Sequence, residues 1–283
     1  MQERPCSKMF SNNPFSSIAS IVSPDLMQLF VFFMIFLVVV GTIFDIIHKG
    51  SARYFFENMR KTNSMAKKDL DGAAIISIAI KTGAIDVMTS KELCNTRGRR
   101  IAHLMGMYGF ILYIVTTVLM IFNIATPAIV AQLWWLGGLL VCAGGYWFWF
   151  FIRADVSAEG KSPFRVMRAD LFVLSLVGSV TLGLIWAWMQ AKGISGSLVI
   201  FSFYIFATVI LFGGVPWSKF AHMFFKPAAA FEKRLSIANG NADNLPTHTR
   251  DDPELQQSHS MELLKDAPMD MGLGIKREVP RHY

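Results

Sequence analysis

Three cysteines in 283 residues, Cys6, Cys94 and Cys142, stand far apart, and no C-x2-C run occurs. That spacing supplies neither an iron–sulfur cluster nor a structural zinc site. Charge is scarce as well: 17% of residues are Asp, Glu, Lys or Arg, against 53% hydrophobic. There is no nucleophile elbow, no phosphate-binding glycine loop and no H-E-x-x-H pair, so common signatures of hydrolysis and group transfer are missing. No compact basic module speaks for nucleic acid. No internal repeat of transporter type is present, and no helix centre carries the charge that marks an ion path.

What the chain has instead is apolar runs. Its mean hydropathy is +0.41, and five blocks are long enough to span a bilayer: Leu26–Ile47, Ala102–Ile124, Ile129–Ile152, Leu171–Met189 and Leu198–Trp217. Crossing ~30 Å at ~1.5 Å per residue takes about 20 residues, which each block approaches or exceeds. The fold class expected is therefore an all-α integral membrane protein of five transmembrane helices. The first block is full length and lacks a cleavage site after it, so it reads as helix rather than signal peptide.

Basic residues set the expected orientation. The N-terminus and the helix 2–3 and 4–5 turns hold 3 Lys and Arg, the other connections and the C-terminus 24. The positive-inside rule then puts the N-terminus outside and the C-terminus in the cytoplasm. The net charge of +7 is thereby gathered on one face, where it serves topology, anionic lipid, or an acidic soluble partner. Three regions follow: an N-terminal segment 1–25, a five-helix domain 26–234 with a cytoplasmic helical loop near 48–101, and a polar tail 235–283 that reads as disordered. Within the loop, "DGAAIISIAIKTGAIDVMTSKELCN" has the pattern of short helices with an apolar face, lying on the membrane or against a partner. Ser162-Pro163 looks like an N-cap with proline at the first helical position, starting helix 4 near Pro163. Trp134, Trp135, Trp147, Trp149, Trp186 and Trp188 read as an interfacial belt, some as lining for a quinone pocket.

Of six histidines, His48, His103 and His222 fall at the same ends of helices 1, 2 and 5. Interfacial placement explains each one singly; two imidazoles on facing helices are also what a membrane b-type haem requires. His103 lies one turn before Gly106, where a missing side chain would admit a flat ring, and follows Arg97, Arg99 and Arg100, which suit propionates or simple anchoring. His222 shares a polar stripe with Ser218, Lys219 and Lys226, opposite an apolar stripe of Trp217, Phe220, Ala221, Phe224 and Phe225. His48, three residues after Asp45, reads as interfacial or proton-handling.

The strings "CNTRGRRIAHLMGMYGF" (Cys94–Phe110), "AEGKSPFRVMRADLFVL" (Ala158–Leu174) and "PWSKFAHMFFKPAAAFEKR" (Pro216–Arg234) resemble the membrane half of the quinone-interacting oxidoreductase complex, in the nitrate-reductase gamma-type cytochrome b superfamily. Among those proteins the chain is most similar to the membrane anchors of dissimilatory adenylylsulfate reductase. The resemblance implies haem between helices 2 and 5, with His103 and His222 as one ligand pair. The second pair is absent: Tyr113 stands ten residues after His103 and Tyr204 eighteen before His222, so at most one b-type haem is implied. The cysteines of the ferredoxin-like domain common in such subunits are not found in this sequence, so the resemblance implies electrons arriving from a separate soluble protein.

The resemblance therefore implies a membrane subunit of an oxidoreductase complex, in the cytoplasmic membrane. It would link soluble iron–sulfur flavoprotein adenylylsulfate reductase to the quinone pool, with Arg99, Arg100 and Lys219 near the propionates. A haem-free scaffold, another cytochrome b-type quinone oxidoreductase subunit, and a small transporter are the alternatives.

Overall fold

A computed structural model describes residues 10–49, 55–57, 59–60, 64, 66–90, 97–122, 127–153, 164, 166–167, 170–217 and 222–240. Regular structure among the described residues is helical throughout. The helices are α1 (Pro14–Ile18), α2 (Pro24–Lys49), α3 (Gly72–Lys81), α4 (Arg97–Ile121), α5 (Ala128–Trp147), α6 (Leu171–Ala191), α7 (Ser197–Gly213) and α8 (His222–Ala238). Wider π-type turns extend α3 over Thr82–Val87 and α5 over Phe148–Ile152. A 3-10 turn, Val215–Trp217, follows α7.

Four spans are long and apolar enough to cross a membrane: Pro24–His48, Arg97–Ile121, Ala128–Ile152 and Leu171–Ala191. Their outward faces are apolar, as lipid contact requires. On α2 alone Leu29, Phe32, Phe36 and Ile43 are all more than half exposed, a surface that water would not tolerate. The fifth apolar helix, α7, has 17 residues and is shorter than the run Leu198–Trp217 predicts. Its end lies where Gly213 and Gly214 precede Pro216, whose missing N–H cannot continue an i→i−4 ladder.

Contacts divide the chain into two compact units, one of Met1–Phe55 with Ala79–Ala230 and one of Phe56–Ile78 with Phe231–Tyr283. In the first unit α4 packs on α5, α6 on α7, and α5 on α6, while α2 rests on α7 and the 3-10 turn. Glycine permits the tightest of these approaches. A Cβ added at Gly137 would lie 2.8 Å from the Tyr113 amide nitrogen, and one at Gly144 would lie 2.6 Å from the Ala102 carbonyl. Small residues at such crossings bring backbones together where lipid offers no hydrophobic drive. Polar groups add bonds between helices: Trp134 Nε1 donates to Thr117 Oγ1 (2.9 Å), and the Ser179 and Thr208 hydroxyls meet at 2.7 Å. Since Thr208 donates to the Tyr204 carbonyl (2.7 Å), Ser179 is the donor to Thr208.

One end of this unit is closed by α1. Asn13 Oδ1 accepts the Phe15 N–H at 2.9 Å, an N-cap before Pro14. Its Nδ2 donates to the Met120 carbonyl, and Gln190 Nε2 to the Pro14 carbonyl. Phe15 thereby lodges between Trp134 and Trp186, with ring centroids at 6.2 and 5.3 Å. This corrects the reading of the tryptophans as a belt. Trp134 and Trp186 are 0% exposed, and Trp135 and Trp149 are also buried, whereas Trp147 and Trp188 are the exposed ones. Face, and not closeness to a helix end, decides which ring meets lipid.

The start of α6 is also displaced from expectation. It begins at Leu171, and Val166 and Met167 lie outside any helix; Ser162 and Pro163 fall outside the described residues. Asp170 organises this entry. Its carboxylate accepts the Met167 N–H (2.9 Å) and takes both Nε and Nη2 of Arg153, whose guanidinium lies 4.1 Å over Trp149. Both side chains are largely buried (12% and 13% exposed). Arg153→Ala should cost about 2–3 kcal/mol, because it strands a buried carboxylate. Arg153→Met with Asp170→Leu should cost less than either single change in thermal unfolding in detergent.

In the second unit the Lys67 and Lys68 amides donate to the Asn239 carbonyl at 2.9 and 3.1 Å, and Ser236 and Asn239 are buried. The helix α8 thus runs four residues past Arg234. Asp71 caps α3 by accepting the Ala74 N–H at 2.8 Å. The remainder of the tail, 241–283, lies outside the described residues.

Candidate functional site

His103 lies in the second turn of α4 and is exposed. Its Nδ1 is 3.1 Å from Ser90 Oγ, so a hydroxyl orients the ring, and Nε2 is the nitrogen that would take iron. Metal-bound imidazoles are ordinarily oriented in this way through the other nitrogen. Gly106, three residues on, is open: a Cβ built there would meet nothing within 4 Å. Arg99 is exposed. Arg100 is half-buried and donates from Nε to the Thr89 carbonyl at 2.9 Å.

His222 is the first residue of α8, but its side chain lies outside the described residues, as does Lys219 entirely. The structure therefore describes one imidazole of the expected pair. It also alters the register behind that pair. Five turns of continuous helix would carry Tyr204 onto the His222 face, yet α7 stops at Gly213 and α8 begins at His222. A turn at Gly214 and the 3-10 turn Val215–Trp217 lie between the two positions, so the eighteen-residue spacing is not that of one unbroken helix.

At the second pair of positions the helices do face one another. Tyr113 of α4 and Tyr204 of α7 are 3% and 5% exposed, with phenol oxygens 3.5 Å apart. Trp134 stacks on Tyr113 (5.0 Å, 27°) and Trp186 on Tyr204 (6.0 Å, 10°). Even a methyl on Gly183 would strike the Tyr113 hydroxyl. A macrocycle does not fit here: side chains fill the space, and the donors are paired phenols in place of imidazoles.

Two further features stand apart from this pair. A groove of about 210 Å³ runs between α5 and α6, lined by Tyr146, Trp149, Phe150, Val173, Leu174, Val177 and Gly178. Its polar edge is the Tyr146 hydroxyl, 2.9 Å from Thr181 Oγ1. Near the end of α2, Asp45 is 3% exposed, one turn beyond Gly41, which packs on Val215 and Pro216. His48 stacks on Phe44 at 5.4 Å. Ser90 could not have been singled out from sequence, since a lone serine in a loop carries no signal until the fold brings α4 beside it.

No protein-family model, curated protein or solved structure matches this chain.

Proposed function

We propose that the chain is the membrane anchor and electron-transfer subunit of an oxidoreductase, holding a soluble adenylylsulfate reductase at the cytoplasmic membrane and linking it to the quinone pool. Five spans complete the bundle, α7 with its 3-10 turn being the fifth, with the N-terminus outside. The reductase docks on the basic segments Lys49–Arg100 and Arg153–Arg168. In the direction of sulfite oxidation with AMP, electrons pass from the reductase to quinone.

One b-type haem is held by His103 and His222, with Arg99, Arg100 and Lys219 toward its propionates. When bound, such a group carries one electron at a time between an iron–sulfur donor and quinone. The observation that supports the reading is the environment of His103: Nδ1 on the Ser90 hydroxyl and an open flank at Gly106. Purified chain should show the α-band of a low-spin b-type haem on dithionite reduction. A flat reduced-minus-oxidised spectrum, after growth with haem supplied, would remove the haem from the proposal.

A haem-free anchor is the second reading. It is favoured by the aromatic filling between Tyr113 and Tyr204, which leaves the bundle without the relay of two haems that spans a membrane. In that case His103→Ala leaves quinone reduction by the assembled complex unchanged.

A further inference from the structure

The helix α3 presents its large apolar side chains outward. Ile76 and Ile80, one turn apart, are 62% and 65% exposed, and Met88, just past the π-type turn, is 56% exposed. Among the described residues of α3 none is buried. A narrow polar edge, Ser77 and Lys81, runs beside this apolar arc. Isoleucines so placed in water would expose a patch that a soluble surface avoids.

The turn after α3 is fastened to α4 by three consecutive residues. Tyr108 Oη donates to the Met88 carbonyl (2.6 Å), Arg100 Nε to the Thr89 carbonyl (2.9 Å), and Ser90 Oγ meets His103 Nδ1 (3.1 Å). Ser90 is buried with φ +48°, a left-handed conformation that a non-glycine residue holds only under outside constraint. The helix end is sealed beneath it, Thr89 Oγ1 donating to the Ile85 carbonyl and the Met88 N–H to that of Gly83.

This latch places the end of the arc, Ile80 and Met88. Arg100, His103 and Tyr108 belong to a span able to cross a membrane, Arg97–Ile121, and Tyr108 is about 16 Å along it from Arg97 at ~1.5 Å per residue. Met88 is therefore held beside a membrane helix through its carbonyl, and Ile101 and Tyr108 of that helix are themselves exposed (47% and 42%). The flanking chain is basic: Lys49–Arg100 carries eleven Lys and Arg against five Asp and Glu. Basic segments at a membrane edge are drawn to anionic headgroups, and apolar faces beside them enter the acyl boundary.

We propose that the end of α3 with its π-type turn is an interfacial hook, its Ile80 and Met88 side chains immersed in an anionic phospholipid leaflet and its end latched to α4 by Tyr108, Arg100 and His103. The proposal rests on the membrane character of the chain and on neither haem nor reductase, so the spectrum described above has no bearing on it.

The test uses the full chain with Cys6, Cys94 and Cys142 changed to Ser. Single nitroxide labels go at Ile80→Cys, Met88→Cys and, as a water-facing reference, Lys81→Cys. The labelled chains are placed in vesicles of phosphatidylcholine with phosphatidylglycerol. Labels at 80 and 88 should be relaxed several-fold more by oxygen than by a water-soluble nickel chelate, and the label at 81 the reverse. Equal nickel access at 80 and 81 would overturn immersion. Shielding of the labels at 80 and 88 from both relaxants would overturn it too, in favour of a protein contact. Adding Tyr108→Phe should free the label at 88; an unchanged line shape there would overturn the latch. Should the cysteine variants fail to fold, a carbene-generating phospholipid must modify the 79–90 segment of the unaltered chain, and an unmodified segment would refute the proposal.

Discussion

Gly137→Leu is expected to leave little folded protein in detergent, and Gly137→Ala to lower its melting temperature by on the order of 10 °C. The cause lies in what a first side-chain carbon would meet. At Gly137 the nearest atoms are the Tyr113 amide nitrogen at 2.8 Å and the Gly109 carbonyl at 2.9 Å. Both are backbone atoms inside a helix, so no rotamer can yield, and α4 and α5 must move apart along their length. The approach is mutual: a Cβ at Gly109 would lie 2.8 Å from the Gly137 carbonyl. Overpacking of this kind costs about 3 kcal/mol, toward the upper end of the usual range. At about 2–4 °C per kcal/mol for a chain of this order of size, that gives the shift stated for alanine. Separation of the helices also loosens the bond from Trp134 Nε1 to Thr117 Oγ1 and the seat of Phe15, so damage spreads into the aromatic centre. Gly178→Ala is the control. Nothing lies within 4 Å of a Cβ there, and replacing glycine in a helix should be neutral or stabilise by about 0.5–1 kcal/mol. Equal melting losses for Gly137→Ala and Gly178→Ala would show that close approach is not what makes glycine necessary.

The lengths of α2 and α6 were legible because length and apolarity are local properties. The run Leu26–Ile47 differs from α2 by two residues at each end, and Leu171–Met189 differs from α6 only by two at its close. Orientation about each helix axis was not legible, since a membrane helix is apolar on all sides and its pattern has almost no phase. That is why Trp134 and Trp186 read as a belt while the fold buries both completely. The end of α7 was marked by Gly213, Gly214 and Pro216, but the apolar spacing of Trp217 to Phe225 outweighed those signals. Helix geometry was thereby extended across a break. At the entry to α6 the local signal pointed to Ser162-Pro163, whereas the structure uses Asp170, whose role depends on Arg153 seventeen residues away. At the candidate site, His103 could be singled out from its neighbours and from family resemblance. Ser90 could not, because its bond to His103 exists only once the chain after the π-type turn is brought beside α4.

His103→Ala should abolish the α-band expected of the purified chain, while Ser90→Ala should keep the band and weaken haem retention about 10–100-fold. The two variants separate a ligand from the group that aims it. Ser90 Oγ, 3.1 Å from Nδ1, holds the imidazole plane and would not touch a bound iron, so its loss should widen the range of ring orientations and leave the donor atom in place. Band position in Ser90→Ala should therefore match the unaltered chain, with faster haem loss to a scavenging apoprotein. Tyr113→Phe should change neither property, because its phenol lies with Tyr204 in a packed aromatic region that has no room for a macrocycle. In a haem-free anchor the same residues give a different pattern: no variant has a band to lose. His103→Ala and Ser90→Ala then act alike, each releasing Ser90 from its strained φ of +48° and opening the chain around Met88–Ser90 to limited proteolysis. A band lost in His103→Ala but held in Ser90→Ala assigns the imidazole to iron, whereas matched protease sensitivity with flat spectra makes it a structural latch.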